Sequence, residues 1–258
     1  MNEILNDLIG KIVADYYSTF GYEPVNLSII IADDLWETYS QIRPDHKIQL
    51  PSELPALNGT IATPVELDGT FTVIIDKQYF IEDVQANKAS WIGTIIHEIT
   101  HAKDYFEYAH LISALNYDEV LNTSLHRMFQ LWTEFNAKRH GYFFLRKYTF
   151  ENVCDEAQLP DIIETELPGQ IAYMSKEYGA TTDGWQQIYV VSQFLGRFAV
   201  WAELFPEHFT KKYIASLLGT NPWMLDMYQY LNTHRDLRLA VDSFDELREI
   251  VRQNFQGI

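Results

Sequence analysis

Two histidines four residues apart, with a glutamate directly after the first, are the clearest candidates for chemistry in this sequence. They are His97, Glu98 and His101, within TIIHEITHAKDY (residues 94–105). On a helix, residues four apart lie one turn apart on the same face, so the two imidazoles can offer nitrogens to one ion. Glu98 lies about 100° around the axis from His97, close enough to act on a metal-bound water. The pattern predicts metal-dependent hydrolysis with Glu98 as the general base.

A third ligand is needed, because a catalytic zinc normally has three protein ligands and one open position for water. Glu107 lies ten residues after His97, and on an unbroken helix it would be about 15 Å further along the axis, which is too far. Glu134 lies 33 residues after His101, within LWTEFNAKRHGY. A helix end and a turn can bring a second helix back antiparallel to the first over that distance. Glu134 is therefore the better candidate.

Further residues around the motif have more than one interpretation. Asp104, seven residues after His97, either orients an imidazole through a hydrogen bond, or is a surface residue or a partner in a helix ion pair. Imidazole and carboxylate ligands suit several divalent ions besides zinc. The oxyanion of the reaction would need a hydrogen-bond donor, and the sequence leaves four candidates: Tyr105, Arg139, His140 and Tyr142.

Helical periodicity predicts the elements that carry these residues. The motif falls on a helix from about 89 to 114, and a second helical pattern over about 117–147 carries Glu134. Opposite the histidines lies an apolar stripe that would pack on the core: Ile92, Ile95, Ile99, Ala102 and Phe106.

The segment before the motif predicts an α+β arrangement. A first helix over 3–19 ends at Gly21, VNLSIIIA (25–32) predicts a buried strand, and a short helix follows Asp33 or Asp34. Residues 43–60 contain three prolines and predict an irregular excursion. TIATPVELDGTFTVIID (60–76) predicts two strands around a tight turn at Asp68–Gly69. We therefore expect a small antiparallel or mixed sheet ahead of the two ligand helices.

The rest of the chain is helical in pattern, with helices expected near 161–178, 185–204, 210–218, 222–233 and 243–255. We predict a metallopeptidase-like domain over residues 1–150 and a helical C-terminal domain or extension over 151–258.

The two motifs together resemble those of a known group of enzymes. HEITHA followed by a glutamate on the next helix resembles the gluzincins, zinc peptidases whose third ligand is glutamate. EFNAKR around Glu134 is similar to the glutamate helix of ImmA/IrrE-type peptidases of bacteria and their prophages. The resemblance covers about residues 70–145. It implies that His97, His101 and Glu134 bind Zn²⁺ and that Glu98 is the catalytic base.

The same resemblance implies a protein or peptide substrate, which in the ImmA/IrrE type is typically a DNA-binding repressor. One position departs from the thermolysin-like branch, which has an aspartate four residues after the third ligand, where this chain has Lys138.

Composition narrows the function classes further. A formal charge of -17 argues against an extended nucleic-acid surface, which needs clustered Lys and Arg. The single cysteine, Cys154, cannot form an internal disulfide, and no segment resembles a signal peptide or a membrane span, so we expect a cytoplasmic protein. Two alternatives stay open: a metal-binding regulatory or interaction protein with a structural or vestigial site, and a fold that binds no metal.

Overall fold

A computed structural model describes residues 2–46 and 58–255, with side chains described from residue 5 onward. The protein is mostly helical, about 70%, and its small three-stranded sheet is mixed, so the expected α+β class is confirmed at this level. Most of the irregular excursion expected at 43–60 lies outside the described residues. Among the helices that are described, none is long and apolar enough to cross a membrane.

The sheet is built from β1 (Leu27–Ala32), β2 (Gly59–Ala62) and β3 (Phe71–Asp76), with β3 in the centre. β1 pairs with β3 in parallel, and β2 pairs with β3 antiparallel. The two strands predicted over 60–76 are thus confirmed, but the tight turn is wrong. Residues 63–70 form a longer connection, in which the Gly69 amide donates to the Glu66 carbonyl at 3.0 Å.

The chain divides into two compact units, each described in turn. Unit 1 comprises Met1–Leu121 and Phe143–Thr149, and unit 2 comprises Asn122–Tyr142 and Phe150–Ile258. The predicted domain boundary near residue 150 stays a prediction.

Unit 1 contains the sheet, five helices and the end of a sixth. These helices are α1 (Asn2–Phe20), α2 (Leu35–Ile42), α3 (Lys77–Gln85), α4 (Ser90–Leu111), α5 (Tyr117–Leu121) and the last residues of α6 (His126–Thr149). α1 ends at Gly21, whose positive φ of 67° favours glycine. Asp34 caps α2, since its side chain accepts the Glu37 amide. α3 was not expected from the sequence.

Both faces of the sheet are covered in unit 1. On one face, strand residues Val73 and Ile75 pack with the apolar sides of α1 and α4. On the other face, Ile74 packs with Ala32, Ala62 and α2. Because the expected apolar stripe of α4 is buried here, from Ile92 to Ala102, the opposite side of α4 is left to carry the histidines.

Unit 2 is helical in its described residues. It begins with most of α6 and continues with a 3₁₀ turn (Glu156–Gln158), α7 (Leu159–Asp161), a π-helical segment (Ile162–Glu166), α8 (Leu167–Ala180), α9 (Gly184–Leu204), α10 (Lys211–Leu218), α11 (Pro222–Thr233), α12 (Leu237–Asp242) and α13 (Phe244–Asn254). The helices expected after residue 160 are confirmed, although the first begins with the π-helical segment. α12 was not expected from the sequence. The π segment ends two residues before Pro168, which has no amide hydrogen to donate.

Candidate metal centre

The start of α4 is fixed by two contacts within unit 1. Asp83, on α3, is buried and accepts the Trp91 amide at 2.8 Å, which satisfies one of the free amides of the first turn. Gly59, on β2, lies so close to α4 that a Cβ there would be 3.0 Å from Thr94 Cγ2 and 3.4 Å from Glu98 Cγ. α4 is thus held at its start by α3 and along the motif by β2.

The structure brings His97, Glu98 and His101 together. The Nε2 atoms of the two histidines lie 3.0 Å apart, with the rings nearly perpendicular at 89°. Glu98 Oε1 lies 3.8 Å from His97 Nε2. The side chains of His97 and Glu98 are 12% and 8% exposed. Three potential ligand atoms therefore lie within 4.8 Å of one another at a largely buried but accessible position.

This geometry fits a divalent ion held by the two imidazoles. With Zn–N bonds of about 2.0–2.1 Å, nitrogens 3.0 Å apart would subtend an angle of about 95° at the metal. An ideal tetrahedral angle would need a separation of about 3.3 Å, so a movement of a few tenths of an ångström is sufficient. Two neutral nitrogen donors with an adjacent carboxylate are also donor types found in catalytic zinc sites.

Asp104 is completely buried, which excludes the surface interpretation. Its Oδ1 lies 3.3 Å from Lys103 Nζ, and Lys103 also pairs with Glu107 at 2.8 Å and lies over the Tyr22 ring at 4.1 Å. Burial by itself would lower the pKa of Lys103, but Asp104, Tyr22 and Glu107 together outweigh it and raise that pKa. Lys103 is therefore a buried cation that compensates Asp104.

The same buried polar region includes Tyr16 on α1. Thr100 donates to the Tyr16 hydroxyl oxygen at 3.0 Å, and burial followed by the Asp104 charge raises the pKa of Tyr16 well above its usual value. Tyr16 is thus a neutral phenol in contact with Thr100 of α4. α4 runs unbroken past Asp104 to Leu111, which supports the exclusion of Glu107 as a ligand.

Glu134 lies in unit 2, whereas His97 and His101 lie in unit 1. Its role as the third ligand stays a prediction. It lies on α6 and is 1% exposed. The Tyr189 hydroxyl, from α9, donates to Glu134 Oε2, and Lys138 Nζ lies 3.9 Å from Oε1. A carboxylate at this degree of burial needs such partners to stay ionised.

Two of the four candidate oxyanion donors are engaged inside unit 2. Arg139 makes a two-pronged ion pair with Glu203, at 2.7 and 3.0 Å. The Tyr142 hydroxyl donates to Glu166 in the π-helical segment. His140 is buried and lies 3.3 Å from Arg139 Nη1, while Tyr105 is half-buried in unit 1. No choice between the four follows from these contacts.

A second polar cluster in unit 1 was missed at the sequence level. Arg43 is 2% exposed and binds Asp45 at 2.8 Å and Asp118 at 2.7 Å, while His46 Nε2 lies 3.2 Å from Asp118. The Arg43 hydrogen bond holds the pKa of Asp45 at about 2. Although Asp45, His46 and Asp118 have the spacing of metal ligands, the guanidinium already neutralises both carboxylates. We interpret this cluster as an ion-pair network.

Comparison of the chain with protein-family models, with curated proteins and with solved structures found no match in any of the three.

Proposed function

We propose that this protein is a zinc-dependent peptidase that hydrolyses a peptide bond in a protein or peptide substrate. The observation that carries the proposal is the pair of imidazole nitrogens 3.0 Å apart, with the Glu98 carboxylate 3.8 Å from one of them. The resemblance of HEITHA and EFNAKR to gluzincin motifs supports the peptidase class. Glu134 is the proposed third ligand.

The chain's own residues have separate roles in this proposal. His97 and His101 hold the ion through Nε2, and the buried apolar side of α4 keeps their helix rigid. Zinc, when bound, would lower the pKa of a coordinated water to about 7 and polarise the scissile carbonyl. Glu98 takes the proton from the attacking water and delivers it to the leaving amine nitrogen. The Glu98 carboxylate lies 3.8 Å from His97 Nε2, and its Cγ packs against β2 at Gly59.

Metal binding is tested first. Protein produced with zinc and then dialysed should retain about one equivalent, and His97→Ala should lose it. A zinc-loaded crystal structure should show the two Nε2 atoms opened from 3.0 Å to about 3.3 Å. Wild-type protein that retains no zinc would overturn the proposal.

Catalysis is tested with Glu98→Gln, using fluorophore-labelled casein and a randomised peptide library as probes. We expect this variant to keep its zinc and lose cleavage, because the amide cannot accept the proton. Glu107→Gln is the matched control on the same helix, since Glu107 pairs with Lys103 and is away from the imidazoles in the sequence. Equal cleavage by wild type and Glu98→Gln, or zinc binding with no cleavage of either probe, would instead favour a structural metal site.

A further inference from the structure

The carboxylate of Glu134 is held by a residue from the C-terminal helical part, which the gluzincin resemblance does not cover. The Tyr189 hydroxyl donates to Glu134 Oε2 within unit 2. Tyr189 lies on α9, 55 residues further along the chain. This phenol therefore fixes the orientation of a side chain that is itself almost completely buried.

Two more residues on the same face of α9 fix its contact with α6. Ser192 Oγ donates to the Leu131 carbonyl at 2.7 Å. A Cβ at Gly196 would lie 2.4 Å from the Phe135 carbonyl oxygen, so no larger residue fits without moving a helix. Tyr189, Ser192 and Gly196 are spaced by three and four residues, which places them along one side of the helix. The contact is therefore tight on both sides of Glu134.

The arrangement of charge leaves the carboxylate suited to metal binding. Tyr189 donates to Oε2, while Lys138 Nζ lies 3.9 Å from Oε1, beyond hydrogen-bond distance. An ionised carboxylate has about four lone-pair positions on its two oxygens, so accepting one phenol does not exhaust it. A hydrogen bond to one oxygen also restricts rotation about the last torsion of the side chain.

We propose that Tyr189 is a positioning residue for Glu134, whose carboxylate it orients within unit 2. This inference rests on the proposed function, in which Glu134 is the third zinc ligand. Partners that orient metal ligands are commonly worth about 10- to 100-fold in metal affinity. Removal of the Tyr189 hydroxyl should therefore weaken zinc binding by that factor while the ligand set stays complete.

The test is the zinc dissociation constant of Tyr189→Phe, measured by competition with a chromophoric chelator. Tyr230→Phe is the matched control, because the Tyr230 hydroxyl also lies in unit 2, 3.1 Å from the Ala240 carbonyl and 3.0 Å from Ser243 Oγ. Each variant loses the hydrogen bonds of one phenol hydroxyl. We expect a dissociation constant about 10- to 100-fold higher for Tyr189→Phe and an unchanged one for Tyr230→Phe.

A second readout separates positioning from general destabilisation. In cobalt-substituted protein, Tyr189→Phe should change the visible absorption bands of the ion, whereas Tyr230→Phe should leave them as in wild type. Equal zinc affinity and equal cobalt spectra in wild type and Tyr189→Phe would overturn the inference. So would an equal loss of affinity in both phenylalanine variants.

Glu134→Gln distinguishes the failure of this inference from the failure of the proposed function. If wild type binds zinc and Glu134→Gln weakens it strongly, Glu134 is a ligand and the Tyr189 comparison decides the inference alone. If Glu134→Gln binds zinc like wild type, the inference fails while the imidazole pair and Glu98 still stand. If wild type binds no zinc, the proposed function itself fails.

Discussion

Protonation of His126, at the start of α6, should destabilise unit 2 as the pH falls. Burial lowers the pKa of this imidazole from 6.5 to about 4. The positive end of the helix dipole also disfavours a charged histidine at a helix start. His126 is therefore neutral in the folded protein at a pH where an unfolded chain would already be protonated.

The size of the effect follows from the difference between the two pKa values. Each unit corresponds to about 1.36 kcal/mol, so a shift from 6.5 to about 4 amounts to about 3 kcal/mol. Because the folded pKa is the lower one, the unfolded chain binds more protons between these values, and stability rises with pH there. The contribution is complete above pH 6.5 and is lost progressively as the pH falls to about 4.

The assay compares wild type with His126→Gln, which cannot titrate. Urea denaturation at pH 7, 6, 5 and 4 would be followed by tryptophan fluorescence, since Trp132, Trp185, Trp201 and Trp223 all belong to unit 2. The unfolding free energy of wild type, relative to the variant, should fall by about 3 kcal/mol across this range. A relative free energy that stays constant from pH 7 to pH 4 would refute the reasoning, as would an NMR titration midpoint of His126 near 6.5.

Three further substitutions test contacts that lie within unit 1 or within unit 2. Asp83→Ala removes the acceptor of the Trp91 amide and should lower the unfolding free energy, measured by urea denaturation, by about 1–2 kcal/mol. Asp83→Asn should be intermediate between wild type and Asp83→Ala. An unchanged urea midpoint in both variants would contradict the capping role. Gly196→Ala should lower the unfolding free energy by at least about 1–3 kcal/mol despite the better helix propensity of alanine, and a stabilised variant would show that the helices can separate. Lys147→Met should cost under about 1 kcal/mol near neutral pH. Burial alone would raise the pKa of Asp15, but the hydrogen bonds from Lys147 and Tyr148 outweigh burial and lower that pKa. The cost of Lys147→Met should therefore vanish as the pH falls well below 3.8, where Asp15 becomes protonated in the folded protein. A cost that persists in acid would indicate lost packing instead.

The sequence predicts α4 well because two periodic signals coincide on it. The apolar stripe and the His97–His101 spacing both have the helical period, and α4 buries the first while it brings together the second. The strands β1 and β3 are likewise short β-branched runs of the kind that pattern analysis detects. These elements were predictable because each has a clear periodic or compositional signal of its own.

Two side-chain contacts that the sequence did not predict join residues far apart in the chain. Arg43 and Asp118 are 75 positions apart, and Tyr189 and Glu134 are 55 apart, so no local pattern indicates either pair. Asp104 had two interpretations because periodicity gives a direction around the helix but not how far burial extends on that side. The tight turn predicted at Asp68–Gly69 was wrong because the paired strands end before they reach it. β2 ends at Ala62 and β3 begins at Phe71, so the connection is longer than a two-residue hairpin turn.

The α9 residues that contact α6 also form a pattern that can be searched for. In one-letter code they give Y-x-x-S-x-x-x-G, present here as YVVSQFLG at positions 189–196. Chains that share HExxH and the later glutamate could be sorted by whether they keep this octapeptide pattern. Under the proposed function, chains that keep it should need the tyrosine hydroxyl for full zinc affinity, whereas chains that lack it should not.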